Sequence, residues 1–274
     1  MSIANATASN GTAPSLEHGP AAIDVKTAVE SPGCDEARAL VRPEPLAGDD
    51  PLDHICYVLG NTQKRTWPYP HYVCNNVFPP AFYAKMLELF PTDDELYPLN
   101  DVFPKRLSRR IGIPDELDAI DDPKRTFWRE LGLRLGSESF MRFVLRQYDP
   151  VLEDRFGEVV EPHIYLHSDI EGYGIGPHVD IHDKVVSMVF YLPDRPMPEL
   201  NAACVMTKTD PDKEIQHPKE EDWVGYRSVF QPDYVPNMLF TFAVTHNSWH
   251  GVRPNPHGVP RRSLQYFIKL PFKG

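Results

Sequence analysis

The chain has little cysteine and none of it is paired in sequence. Cys34, Cys56, Cys74 and Cys204 are scattered through 274 residues with no C-x-x-C spacing. That excludes a disulfide framework and a thiolate zinc site, and it fits a reducing compartment. Long apolar runs are missing as well: no stretch approaches the roughly 18 apolar residues of a membrane-crossing helix. Residues 1–30 show no basic segment followed by an apolar one, so no signal peptide is expected and the expected location is cytoplasmic. Positive charge is scarce, with 28 Lys and Arg against 39 Asp and Glu and a formal net charge of -11. Nucleic acid and anionic membrane surfaces would be repelled and are not expected as partners. Heptads and internal repeats are absent, which excludes a coiled coil and a solenoid and leaves the oligomeric state open.

What is present divides the chain into three parts. Residues 1–50 are rich in Ala, Ser, Thr, Gly, Pro and acidic residues without an apolar period, the composition of a mobile tail. Residues 51–150 carry helical patterns. Pro79-Pro80 opens one, with Phe82, Met86, Leu89 and Phe90 at helical spacing and Pro91 as its stop. A second runs from about Pro123 to Tyr148 with a break at Gly132 or Gly136, and its aromatic and leucine positions read as core. Trp67–Val73 reads as an extended, proline-punctuated segment leading to a short strand, and this half is otherwise expected to be helical and to buttress the rest. The basic cluster Lys105-Arg106-Leu107-Ser108-Arg109-Arg110 reads as a solvated loop, with a grip on an anionic group as the alternative.

After Asp149-Pro150 the pattern changes to short β-branched or aromatic runs bounded by turn residues: 159–168, 184–192, 203–207, 226–230, 238–245 and 263–270. Closely spaced strands without alternating helices predict a mainly β, α+β chain with a sandwich or jelly roll over 151–274. The polar, proline-bearing stretch 193–226 reads as a long insert or lid loop.

Two His-x-Asp pairs stand in this half. His167-Ser168-Asp169 lies within a strand, where His163, Tyr165, His167 and Asp169 share one face by alternation. His178-Val179-Asp180 follows the glycine-rich turn Gly172-Tyr173-Gly174-Ile175-Gly176-Pro177 and precedes an apolar strand, which would hold the pair at a barrel rim, and it is preferred. Either pair alone is a weak signal. His250 follows a buried-strand pattern, 238–244, and stands seventy-two residues after His178, whereas His246 reads as a turn residue. Two imidazoles and a carboxylate can hold one face of a non-haem iron and leave the other open. Eleven residues after His250, Arg261, Ser263 and Gln265 alternate on one face of a strand and Arg262, Leu264 and Tyr266 on the other. An inward guanidinium and hydroxyl on an apolar strand call for a partner, and a bound carboxylate would supply one.

Together, His178-x-Asp180, His250 and Arg261-x-Ser263 resemble the His-x-Asp…His…Arg-x-Ser pattern of the Fe(II)/2-oxoglutarate-dependent oxygenases, in particular the prolyl-hydroxylase-like and related bacterial branches. The resemblance covers about residues 160–270. It implies a double-stranded β-helix (a cupin-like jelly roll) with N-terminal helices packed on it. It further implies Fe(II) held by His178, Asp180 and His250, and 2-oxoglutarate held at its far carboxylate by Arg261 with Ser263, Arg262 being the alternative to Arg261. A tyrosine assists in many relatives, with Tyr165 and Tyr173 as candidates, and the glycine-rich turn with Tyr173 would form a flexible lip over the site. O2 would be the co-reactant, succinate and CO2 the by-products, and a C–H bond the point of oxidation, with hydroxylation favoured by the carboxylate at position 180. A small polar metabolite or natural-product intermediate is the preferred substrate and a protein side chain the alternative. Two readings from other classes remain: a metal-binding cupin-type barrel that uses His178 and His250 without Arg261, and a zinc hydrolase on the same three ligands. The latter lacks an obvious general base in the sequence.

Overall fold

Strand alternation and helical stripes meet on one surface. In the computed structural model, which describes residues 50–112, 114–152, 160–212, 223–256 and 258–271, the last strand shows how. Strand β11 (Arg261–Lys269) turns Leu264, Tyr266 and Ile268 toward the helices, all fully buried, and turns Arg261, Ser263, Gln265, Phe267 and Lys269 into a pocket. A strand covered on both faces sits at the centre of its sheet. β11 is flanked by β4 (Glu161–Asp169) and β6 (Lys184–Tyr191) in the seven-stranded antiparallel order β1-β9-β6-β11-β4-β3-β2. The remaining members are β1 (His71–Asn75), β2 (Tyr97–Pro98), β3 (Arg106–Ile111) and β9 (Met238–Ala243). A second antiparallel sheet has the order β5-β10-β7-β8, made of β5 (Ile175–His178), β10 (His250–Val252), β7 (Cys204–Lys208) and β8 (Tyr226–Phe230).

The helices cover the outer face of the large sheet. Helix α1 (Pro51–Asn61) starts where the Asp50 carboxylate accepts hydrogen bonds from the Leu52 and Asp53 amides, with proline in its first turn. Helix α2 (Pro80–Glu88) buries Tyr83 and Met86, and the short α3 (Pro114–Leu117) follows β3. Helix α4 (Lys124–Leu135) buries Trp128, Leu131, Gly132 and Leu135 along one stripe. It ends at Gly136, and Ser137 then caps α5 (Glu138–Arg146), whose Phe140 meets Tyr266 edge-on at 5.5 Å between ring centroids. One apolar cluster therefore joins helices and sheet. Each fully buried large apolar side chain in it contributes about 1.5–3 kcal/mol. None of the described helices is long and apolar enough to cross a membrane.

The expected strands of the second half appear with ends shifted by a residue or two, and the 123–148 helical stretch breaks at Gly136. Two expectations change. The first half is less helical than expected: besides the expected short strand, which is β1, it supplies β2 and β3, so it extends the large sheet at both edges. The basic cluster is strand β3 and not a solvated loop, because its alternation sends Arg106 to the pocket while Arg109 turns the other way and donates to the Glu95 and Glu116 carbonyls. The expected tail at 1–50, except residue 50, and residues 213–222 of the expected insert lie outside the described residues.

Candidate metal and carboxylate site

A pocket of about 620 Å³ opens between the two sheets, lined along one wall by the inward residues of β11 and on the other by β5 and β10. Strand pairing assembles the two histidines. His178 ends β5, His250 begins β10, and the two are direct partners in the antiparallel register, with ring centroids 4.2 Å apart. Gly251 makes this approach feasible. A Cβ there would stand 3.0 Å from the Ile175 carbonyl oxygen and 3.1 Å from the Gly176 carbonyl carbon, so a side chain would push β5 away. Asp180 follows β5 directly, and its carboxylate points back to the histidines, with Oδ1 3.9 Å from His178 Nε2. One ligand atom each from His178, Asp180 and His250 lies within 4.8 Å of the others. The preferred His-x-Asp pair is the one that meets His250, and His246 is exposed.

The surroundings decide the protonation of all three groups. His178 Nδ1 lies 2.9 Å from the Gly176 carbonyl and His250 Nδ1 2.9 Å from the Ser248 carbonyl. A carbonyl only accepts, so each Nδ1 donates and each neutral ring keeps its lone pair on Nε2. Burial, with His250 as a further cause, pushes His178 down to about 3, and burial lowers His250 as well. For Asp180, burial works toward the neutral acid, but the Lys184 ammonium outweighs it and holds the carboxyl well below the usual carboxylate range. Lys184 Nζ donates to Asp180 Oδ1 at 2.7 Å and Ser187 Oγ to Oδ2 at 2.6 Å, which fixes the carboxylate from behind. Neutral imidazoles with Nε2 lone pairs beside an ionised, oriented carboxylate are the state a divalent transition metal requires, so the donor set fits Fe(II).

Farther along the pocket Arg261 is 3% exposed and pairs in register with Asp169. Its contacts are all long: Nε to Asp169 Oδ2 at 3.3 Å, Nη1 to the Asn201 and Arg253 carbonyls at 3.2 and 3.4 Å, and Nη2 to the Tyr173 carbonyl at 3.4 Å. Asp169 is held much more closely by Arg106, at 2.6 and 2.9 Å through both carboxylate oxygens. Burial opposes ionisation of Asp169, but the Arg106 guanidinium and then Arg261 keep it below the ordinary range. Ser263 lines the same wall, whereas Arg262 turns to the helix side with its guanidinium 5.1 Å from the centre of the Phe90 ring.

Of the two candidate tyrosines, Tyr165 lines the pocket level with Gln265, stacked on His167. Tyr173 also lines the pocket, buried at 3% exposure with the Arg106 guanidinium 4.4 Å from its ring centre. The tyrosine level with Ser263 is Tyr191 on β6, which sequence reading passed over. Lys184 and Ser187 had no expected role, Arg106 stood only within the basic cluster with its grip on an anionic group as the alternative, and Asp169 only in the less favoured His-x-Asp pair. Ser187 had a legible signal, a hydroxyl in the middle of the apolar run Val185–Leu192, which a buried strand tolerates only with a partner.

Comparison with protein-family models finds no match, and no curated protein matches either. Solved structures of similar shape do exist. A prolyl-4-hydroxylase from Pseudomonas putida is 16% identical, with 81% of this chain and all of that chain covered and a TM-score of 0.46. A prolyl hydroxylase from Trichoplax adhaerens, in complex with a hypoxia inducible factor peptide fragment, is 12% identical over 80% of this chain and 88% of that one, with a TM-score of 0.47. HygX from Streptomyces hygroscopicus, with nickel and 2-oxoglutarate bound, is 12% identical over 79% and 86%, with a TM-score of 0.41. At such identities and TM-scores they are similarities of shape, and the chemistry of this chain rests on its own site.

Proposed function

We propose that this chain is an Fe(II)- and 2-oxoglutarate-dependent dioxygenase of double-stranded β-helix fold that hydroxylates a C–H bond of a small polar metabolite or natural-product intermediate and releases succinate and CO2. One observation carries the reading. Two cross-strand imidazoles with their Nε2 lone pairs free converge with an ionised carboxylate, and the same pocket holds a buried, loosely engaged guanidinium. In this reading His178, Asp180 and His250 hold Fe(II), which leaves positions open for a chelating keto acid and O2. Arg261 and Ser263 bind the far carboxylate of 2-oxoglutarate, with Tyr191 beside them on the neighbouring strand.

When bound, Fe(II) and 2-oxoglutarate supply O2 activation and the oxidising power for the C–H bond. The chain's own residues do the positioning. The Gly176 and Ser248 carbonyls fix the ring orientation of the two histidines, and Lys184 and Ser187 fix Asp180. Phe242, 4.6 Å from the His250 ring between centroids, and Val189 give the pocket apolar walls beside the histidines. The pocket's volume supports a small-molecule substrate, since such sites fall within roughly 300–1,000 Å³.

Anaerobic titration with Fe(II) and then 2-oxoglutarate tests the reading: a weak visible metal-to-ligand charge-transfer band is expected only with both present. No band, with Fe(II) or Zn(II) bound regardless of the keto acid, would favour the cupin-type barrel or the zinc hydrolase. Mass spectrometry of metabolites incubated with the enzyme, Fe(II) and 2-oxoglutarate, read for gain of one oxygen, would then name the substrate.

A further inference from the structure

The Arg106–Asp169–Arg261 row, with Asp169 and Arg261 buried and Arg106 partly so, is unusual in its balance. The three residues sit at one level of three adjacent strands, Arg106 on β3, Asp169 on β4 and Arg261 on β11. Two guanidiniums and one carboxylate leave one unit of positive charge. The carboxylate is shared unequally. Arg106 grips both oxygens at 2.6 and 2.9 Å in the planar fork geometry, whereas Arg261 reaches one of them at 3.3 Å through Nε. Among the described residues the Nη groups of Arg261 donate to carbonyls, at 3.2 to 3.4 Å. Asp169 is 2% exposed, so its charge has to be matched within the protein. Without Arg106, Arg261 would be the guanidinium left to match it.

We infer that Arg106 is a positioning residue for cosubstrate binding: by holding Asp169 it keeps the carboxylate from neutralising Arg261, and so keeps one guanidinium available for an incoming carboxylate. This inference rests on the proposed 2-oxoglutarate site and adds to it a residue from the other half of the chain. The single net positive charge of the row then matches the single charge of one carboxylate. His167, two residues before Asp169 on β4, adds no charge to the row, since burial and the Arg106 guanidinium lower its pKa well below the ordinary range.

The test is isothermal titration of 2-oxoglutarate into anaerobic Fe(II)-loaded protein, for wild type, Arg106→Leu, Asp169→Asn and the double variant. Arg106→Leu is expected to weaken 2-oxoglutarate binding by roughly 30-fold or more, with Fe(II) affinity unchanged. Asp169→Asn and the double variant, in which no acid remains to occupy Arg261, are expected to bind within about tenfold of wild type. Recovery in the double variant is the outcome that general damage to the fold would not produce. Wild-type affinity in Arg106→Leu, or a double variant as weak as Arg106→Leu, overturns the inference. If Arg106→Leu does not fold, Arg106→Gln takes its place in the same comparison, with loss in that variant and recovery when Asp169→Asn is added supporting the role, and no loss, or no recovery, overturning it. A wild-type protein that binds Fe(II) but not 2-oxoglutarate overturns the proposed function itself.

Discussion

His178 and His250 face each other as cross-strand partners, ring centroids 4.2 Å apart, although seventy-two residues of chain separate them. The strand ladder aligns them, and each ring's Nδ1 is tied to the carbonyl two residues before it. The imidazole pair is thus set by backbone geometry before any ligand arrives, and Asp180 is brought to it by Lys184 and Ser187.

Replacing Asp180 with Ala removes the carboxylate of the group. Substrate-dependent succinate formation is expected to disappear, and full activity in that variant would remove Asp180 from the ligand set. Ser187→Ala removes only a hydrogen bond to that carboxylate, so a milder loss is expected, about tenfold in Fe(II) affinity measured by competition with a chelator.

Gly251→Ala tests the close approach of the two strands that carry the histidines. The added methyl would meet the backbone of β5 at 3.0–3.1 Å, and backbone cannot swing aside as a side chain can. A loss of about 1–3 kcal/mol in denaturant unfolding is expected, together with weaker Fe(II) binding. Unchanged metal affinity would mean that the ladder tolerates the shift.

Trp128 joins α4 to the core. It is fully buried, its indole N–H donates to the Leu89 carbonyl at 2.6 Å, and its ring meets Phe90 and Phe127 edge-on. Trp128→Ala is expected to cost about 3–5 kcal/mol in urea unfolding. A loss below about 1 kcal/mol would show that the helical layer contributes little to the stability of the sheet.

Glu95 gives a pH test away from the pocket. Burial acts to raise its pKa, but hydrogen bonds from Lys124 and Thr92 outweigh burial and bring it down to about 2, from an ordinary value of 4.5. With the folded pKa below the unfolded one, the unfolded chain binds more protons between the two values, so stability rises with pH across that window. The contribution is present above about 4.5 and is lost as pH falls toward about 2. Glu95→Gln is expected to have a flatter dependence of unfolding free energy on pH between 3 and 5 than wild type, and an identical slope would sink the assignment.

Local patterns were legible because their causes are local. The alternation of Arg261, Ser263 and Gln265 against Leu264 and Tyr266 follows from the period of a strand, and it matches the pocket face and the core face of β11. Helix α2 and the break at Gly136 followed from proline and glycine. Arg106 was not legible, because a run of four basic residues within six gives no sign of which one a neighbouring strand will turn inward.

The sequence by itself determined the chemistry on offer, two histidines, an aspartate, an arginine and a serine in a given order, and the strand periods that put the arginine and serine on one face. Tertiary structure decided which groups meet. It brought His178 to His250, set Tyr191 and not Tyr165 level with Ser263, and placed Asp169 between Arg106, 63 residues before it, and Arg261, 92 residues after it. The physical reason is that register between strands distant in sequence is set by the burial of whole faces against the helices, and a one-residue slip would turn each of these groups the other way.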